Sequence, residues 1–232
     1  MTRLIPLLVW LVLALSSVGC SGLSKVDVGR VLTSGRDGWQ YPERVIENLG
    51  LRAGDRVAEI GAGSGYWLPY LSDAVGPKGR VYAVEVDSEL VERLESNVRD
   101  WGLENVEVIL GLPADPRLQP GSIDLAMTCL TYHHIEDRVG YFERLHSSLR
   151  AGARVVHLDD RPDAEPPISW FQGEGHWTDP TEIETEMHDA GYRTTETYDF
   201  LPAQSFLVFE PVVAAQAARS VSPSLPRAER GS

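Results

Sequence analysis

Cysteine is scarce: the chain has two, Cys20 and Cys129. Two thiols cannot build a disulfide framework or a four-cysteine zinc site. Cys129 lies in the apolar stretch IDLAMTCL and reads as a buried small hydrophobe. Basic residues are also in deficit, with 21 Lys and Arg against 34 Asp and Glu and a net charge of −13. That sign excludes sequence-independent nucleic-acid binding and docking on anionic lipid by charge alone, because both need a basic face. The acidic residues are spread along the chain, as on a solvated surface. There is no internal repeat, and no apolar run reaches the ~20 residues that a comfortable membrane span needs. What is present suffices for a core: 43% of the 232 residues are hydrophobic, which fits one domain with appendages.

The first residues have the pattern of a targeting segment. Arg3 precedes an apolar run, Leu4–Leu15, and small residues follow. The ending SSVGC resembles a bacterial lipoprotein signal, in which the Cys after Gly becomes lipid-modified and is the new N-terminus; Ser17 stands where Leu is usual. The expectation is a signal peptide over 1–19, lipidation at Cys20, and a cell-envelope location, lipid-anchored or periplasmic. An uncleaved N-terminal anchor with a cytoplasmic domain is the other reading. Residues 20–35 are small and polar and read as a linker, 36–211 as the folded domain, and 212–232 as a disordered tail without a core-forming period.

Within the domain, periodicity alternates. Pro42 opens a helix with Val45, Ile46 and Leu49 at helical spacing, and a short apolar strand follows over 56–60. SGYWLPYLSDAVG reads as a helix in which Pro69 makes a kink or an early turn. GRVYAVEVD is a β-branched strand, and SELVERLESNVRDWGL is a helix capped by Ser88. NVEVIL and SIDLAMTCL are strands, DRVGYFERLHSSLRAG a helix stopped by Gly152, and ARVVHLDD a fifth strand. A helix capped by Asp179 and two tightly joined antiparallel strands close the domain. This pattern predicts a doubly wound, Rossmann-like α/β fold with a mostly parallel seven-stranded sheet and an antiparallel C-terminal strand.

AEIGAGSGYW, residues 58–67, sits where such sheets bind ligands, between the first strand and its helix. The dinucleotide fingerprint G-x-G-x-x-G fails, because Tyr66 occupies the place of its last glycine. Glu85 ends the second strand at about the ~20-residue separation of a ribose-binding acid.

VAEIGAGSGYWLPYLSDAVGPKGRVYAVEVD resembles the first two strands of the class I S-adenosylmethionine-dependent methyltransferases. RDGWQYP, TYHHIED and FLPAQSFLVFEP, in that order, resemble segments of a small bacterial subgroup of that family. The resemblance implies S-adenosylmethionine as cofactor. It implies that Glu59 helps hold the methionine amino group, that Gly61, Gly63 and Gly65 let the loop approach the cofactor, that Glu85 binds the ribose hydroxyls, and that Val86 lies against the adenine. Leu112 stands where an adenine-contacting acid is usual, so Asp115 is the candidate for that contact.

The chemistry would fall at TYHHIEDR, after the fourth strand. His133 or His134 is a candidate base, since His titrates near working pH; a structural role and metal binding remain as other readings. Asp159 and Asp160 line the expected cleft, holding a polar acceptor or capping a turn. Arg36, Trp39 and Gln40 form either a lid over the cofactor or packing for the first helix. Trp170, His176 and Trp177 shape the acceptor pocket or pack locally. The expected function is methyl transfer to an unidentified small-molecule acceptor, with no nucleic-acid partner and membrane contact through the N-terminal lipid or anchor. The alternative is a non-catalytic envelope lipoprotein that binds a nucleoside or S-adenosylmethionine on a methyltransferase scaffold. The misplaced third glycine argues against a third reading, a nicotinamide oxidoreductase.

Overall fold

In a computed structural model that describes residues 35–162 and 177–212, the chain forms one seven-stranded sheet with helices on both faces. The elements are α1 (Asp37–Gln40), α2 (Pro42–Leu49), β1 (Arg56–Ile60), α3 (Leu68–Val75), β2 (Arg80–Glu85), α4 (Ser88–Asp100), β3 (Val106–Leu110), β4 (Ile123–Cys129), α5 (Arg138–Leu145), β5 (Leu149–Asp160), α6 (Pro180–Asp189), β6 (Tyr192–Tyr198) and β7 (Gln204–Pro211). Short 3-10 turns at Tyr132–His134 and His146–Ser148 flank α5. The strand order is β3-β2-β1-β4-β5-β7-β6, and β7 runs antiparallel to both of its neighbours.

The reversal of direction between β1–β2–β3 and β1–β4–β5 puts the carboxyl ends of β1 and β4 side by side, which is the switch point where doubly wound sheets hold ligands. Two apolar layers hold the sheet in place. On one face Val57, Met127, Val156 and Val208 pack under α2 and α3 through Val45, Leu49, Leu68 and Leu71. On the other face Ala58, Ala126, Val155 and Phe209 meet α5 and α6 through Phe142, Leu145, Ile183 and Met187. Each such aliphatic side chain, once fully buried, contributes about 1.5–3 kcal/mol.

Three local expectations are corrected. The cap of α4 is Asp87, not Ser88: its carboxylate accepts from Glu89 N at 2.8 Å and Leu90 N at 3.2 Å, satisfying two end amides. The helix expected to run to Gly152 ends at Leu145, a 3-10 turn follows, and β5 already begins at Leu149. Gly152, at φ +79°, lies inside that strand where its register with β4 shifts between Ile123 and Leu125, so this glycine marks a bulge and not a helix stop. Pro69 sits in the first turn of α3, where its missing N–H costs nothing. Asp179 caps α6 as expected, accepting from Thr181 N. The expected signal peptide, Cys20 and nearly all of the linker, as well as Trp170, His176 and residues 213–232, lie outside the described residues. Among the described residues no helix is long and apolar enough to cross a membrane.

Candidate functional site

The loop after β1 is built by three glycines at positive φ: Gly61 (+75°), Gly63 (+54°) and Gly65 (+88°). They serve different purposes. A Cβ on Gly61 would lie 2.3 Å from the Thr131 side chain, and one on Gly65 2.8 Å from Leu94 Cδ1, so these two permit close packing. A Cβ on Gly63 would meet nothing within 4 Å, so the loop is open at that point, as a ligand cradle requires. Gly61→Ala is therefore expected to destabilise the fold by about 2–4 kcal/mol through strain and overpacking. Gly63→Ala should cost about 1–2 kcal/mol of backbone strain alone; thermal denaturation of the two variants checks the contrast.

Glu85 ends β2 facing this loop and is buried. Its Oε2 accepts from Gly63 N at 2.8 Å, and its Oε1 from Val86 N at 2.8 Å and Asp87 N at 3.2 Å. A carboxylate offers about four acceptor positions, so the three loop amides do not exhaust it. Val86, beside it, is 51% exposed, and Leu110 and Leu112 at the end of β3 are 42% and 44% exposed, giving an apolar rim. Asp115 is exposed in the turn after β3, where its carboxylate accepts from Arg117 N at 2.7 Å.

Glu59, at the end of β1, is 3% exposed, and its Oε2 has no hydrogen-bond partner. Burial pushes this carboxyl up to about 8; the Arg36 guanidinium opposes the shift and Glu85 adds to it. A buried acid with an orphaned oxygen is a site waiting for a donor.

Arg36 comes from the strap that precedes α2. Its guanidinium lies 4.2 Å from the Tyr66 ring centroid, its Nε donates to Gln40 Oε1, and its Nη2 reaches Cys129 Sγ at 3.3 Å. Asp37 fastens the strap by accepting from Tyr66 Oη at 2.8 Å and Tyr70 Oη at 3.1 Å. Gln40 is fully buried; its Nε2 donates to Gln204 Oε1 at 2.7 Å and contacts Cys129 Sγ at 3.2 Å. Trp39 is half-buried on the same short helix. Cys129 is buried as expected, but among polar groups and not in an apolar cluster alone. Burial raises its pKa despite the nearby Arg36.

After β4 the 3-10 turn carries the two histidines. His133 Nδ1 lies 2.8 Å from Asp159 Oδ1, and both side chains are nearly sealed, at 6% and 0% exposure. An ionised carboxylate only accepts, so Nδ1–H is the donor, and in the neutral ring Nε2 is the atom able to take a proton. The His134 ring centroid is 4.1 Å from that of His133, with the rings tilted by 51°. His134 itself is exposed. Among the described residues no cluster of His, Cys, Asp and Glu has the arrangement of a metal site. A third histidine, His157, lies under the turn between Thr128 Oγ1 at 2.7 Å and Met187 Sδ at 3.3 Å. Burial pushes its pKa down to about 3, so it is a neutral packing group.

Asp160 is 1% exposed, and neither carboxyl oxygen has a well-formed hydrogen bond. Burial raises its pKa to about 6 although the neighbouring Gln204 amide pulls it back. Gln204 faces it because the two residues are paired across β5 and β7. The role of Gln204, and the pairing of His133 with Asp159, were invisible at the level of spacing; the FLPAQ segment was a signal without an assigned contact. Trp177 is 44% exposed.

Residues 57–152 match a family model described as a methyltransferase domain. Over 67 residues the chain is 42% identical to protein-L-isoaspartate O-methyltransferase of Ignicoccus hospitalis, covering 29% of this chain and 32% of that protein. The match thus spans about a third of the length of that curated relative. A solved S-adenosylmethionine-dependent methyltransferase from Aquifex aeolicus superposes with a TM-score of 0.71 at 26% identity, over 82% of this chain and 100% of that one. Aeropyrum pernix fibrillarin, solved with natively bound S-adenosyl-L-methionine, shares the fold at a TM-score of 0.51 and 21% identity, over 68% of this chain and 67% of that one. Residues 57–152 thus resemble a methyltransferase domain, and the chain has the fold shared by S-adenosylmethionine-dependent methyltransferases.

Proposed function

We propose that the protein is an S-adenosylmethionine-dependent methyltransferase that acts on a small molecule. The observation that carries this reading is the pair of buried acids flanking an open glycine loop: Glu85 on the loop amides, and Glu59 with an orphaned oxygen. Their chemistry fits the cofactor. Glu85 can accept from ribose hydroxyls, Glu59 from an ammonium, and Val86 supplies an apolar wall for the adenine; Asp115 and Trp39 are the remaining candidates for its outer contacts. When bound, the cofactor supplies a methyl group activated by a sulfonium. The protein's task is to position the acceptor, exclude water and manage a proton. His133, oriented by Asp159, serves as the base through Nε2, and any positive charge that develops on the ring is held by the buried carboxylate. His134, whose ring lies tilted beside it, is the second candidate for contact with the acceptor.

Calorimetric titration of the full-length protein in detergent with S-adenosylhomocysteine tests this. Saturable binding in the micromolar range is expected; no heat at millimolar ligand overturns the reading.

We place the protein in the cell envelope, exported and lipidated on Cys20. Metabolic labelling with palmitate in a bacterial host should mark the wild-type chain and not Cys20→Ala, and an unlabelled wild type refutes the assignment. The apolar N-terminal run also favours a second reading. S-adenosylmethionine is made in the cytoplasm, so an exported domain is either a binding protein on this scaffold or remains inside behind an N-terminal anchor. A C-terminal reporter active only in the cytoplasm would select the anchor.

A further inference from the structure

Glu59, Glu85 and Asp160 lie at the carboxyl ends of β1, β2 and β5, and all three are buried. Arg36, which precedes α1 on the strap, is a half-buried cation set close to them. Its guanidinium is located by three contacts. It lies 4.2 Å from the ring centroid of Tyr66, a residue of the glycine loop itself. Nη2 donates to Cys129 Sγ at 3.3 Å, at the carboxyl end of β4, and Nε donates to Gln40 Oε1. The strap thus carries a positive charge across the switch point, from the loop after β1 to the end of β4. Glu59 belongs to the same place. It pairs in register with Met127 on β4, and Cys129 follows two residues later on the same face. Strand spacing and rise put the backbones of Glu59 and Cys129 about 8 Å apart. The charge of Arg36 draws the Glu59 carboxyl down against the effect of burial, in agreement with that placement.

What Arg36 lacks is an anion. Among the described residues it forms no ion pair. Its neighbour Asp37 accepts from the Tyr66 and Tyr70 hydroxyls instead. Gln40 is neutral, and Cys129 is a thiol whose pKa burial raises, which makes it a weak acceptor. Removing a cation from water against neutral partners is costly unless an anion completes the set. The engaged donors are Nε and one Nη2 proton, so Nη1 and the other Nη2 proton remain. Paired N–H groups of a planar guanidinium match one carboxylate or phosphate. Glu59 decides between these. A phosphate would answer Arg36 alone and sit against buried acids. A ligand that carries an ammonium and a carboxylate on one carbon answers both groups: the ammonium meets the orphaned oxygen of Glu59, and the carboxylate meets Arg36.

We propose that Arg36 binds the carboxylate at the amino-acid end of the cofactor, so that the ligand itself fastens the strap over the glycine loop. The proposal rests on the methyltransferase reading and adds a binding residue to it. Gln40 and Cys129 hold the guanidinium at its edge, and the Tyr66 ring supports its face. Arg36 stands before residue 57, outside the segment that matches the family model, so this contact comes from the strap and not from the matched segment.

The test compares two ligands by calorimetry on the full-length protein in detergent. One is S-adenosylhomocysteine. The other is the same nucleoside thioether with a 3-aminopropyl chain, which keeps the amine and lacks the carboxylate. Wild type should bind the first more tightly by about tenfold or more, as a charge-assisted forked pair provides. In Arg36→Gln that preference should fall to about twofold or less, with affinity for the aminopropyl compound within about threefold of wild type. Should that variant fail to fold, Arg36→Lys keeps a charge without the fork and should show a smaller preference than wild type. The wild-type comparison needs no variant at all. Equal affinity of wild type for the two compounds overturns the proposal, and so does a preference that survives intact in Arg36→Gln. An equal loss for both compounds in Arg36→Gln also overturns it, because Arg36 would then brace the strap without touching the carboxylate. Each of these results leaves the methyltransferase reading standing. Absence of S-adenosylhomocysteine binding by wild type at millimolar concentration overturns that reading and this contact together.

Discussion

Glu85→Ala is expected to weaken S-adenosylhomocysteine binding by about 100-fold, since hydrogen bonds to a charged group contribute roughly 1.5–3 kcal/mol in total stabilisation here. Two effects act together. The variant removes the acceptor proposed for the ribose hydroxyls, and it releases the amides of Gly63, Val86 and Asp87 that the carboxylate now holds at 2.8, 2.8 and 3.2 Å. Glu85→Gln separates them. Its amide oxygen can hold one set of donors but not serve both the loop and a diol, so it should recover stability before it recovers affinity. Calorimetry and thermal denaturation on the two variants read this directly. If Glu85→Ala binds as tightly as wild type, Glu85 is a loop brace and no more.

The second large effect concerns Glu59 and pH. Its carboxyl is raised from 4.5 to about 8 in the ligand-free site, first by burial, against the pull of Arg36 and with a push from Glu85. A group whose folded pKa lies above its unfolded value binds more protons when folded. Its contribution to stability is complete below the unfolded value and is lost as pH rises through the folded one. Asp160, raised to about 6, acts with the same sign at lower pH. His157, lowered from 6.5 to about 3, acts with the opposite sign as pH falls below 6.5. Above pH 6.5 the slope therefore belongs mainly to Glu59. The ligand-free protein should lose about 2 kcal/mol between pH 6.5 and about 8.5. Glu59→Gln should flatten that slope, as denaturant titrations across the window can show. An ammonium bound at Glu59 should drive its proton off, so binding of S-adenosylhomocysteine near pH 7 should carry a heat that changes with the ionisation enthalpy of the buffer. A wild-type slope as flat as that of Glu59→Gln contradicts the assignment.

Which parts of this site could be read from sequence follows from how far apart the partners lie. The glycine loop, the acid two residues before it and the acid at the end of β2 belong to one βαβ unit, whose geometry strand and helix periods already imply. The exchange of Ser88 for Asp87 as cap is a matter of one position: adjacent polar residues both suit a cap, and the one with extended backbone, Asp87 at ψ 117°, takes the role. Gly152 misled because a glycine after a helical pattern signals a stop, while here the same conformational freedom serves a strand irregularity. The contacts His133 to Asp159 and Asp160 to Gln204 bridge separate strands and depend on register. Pairing of β5 with β7 puts Asp160 opposite Gln204, and no local pattern contains that information. Strap residues Arg36 and Gln40 are legible as polar and aromatic punctuation, but their reach to Cys129 requires the whole of the β4 end to be in place.

A crystal structure of the full-length protein grown with S-adenosylhomocysteine tests the central claim most directly. The expected result has the ribose hydroxyls on Glu85, the amino group on Glu59 Oε2 and the ligand lying over Gly63. Density for the ligand at any other place, or an empty loop in crystals grown at saturating ligand, would contradict it.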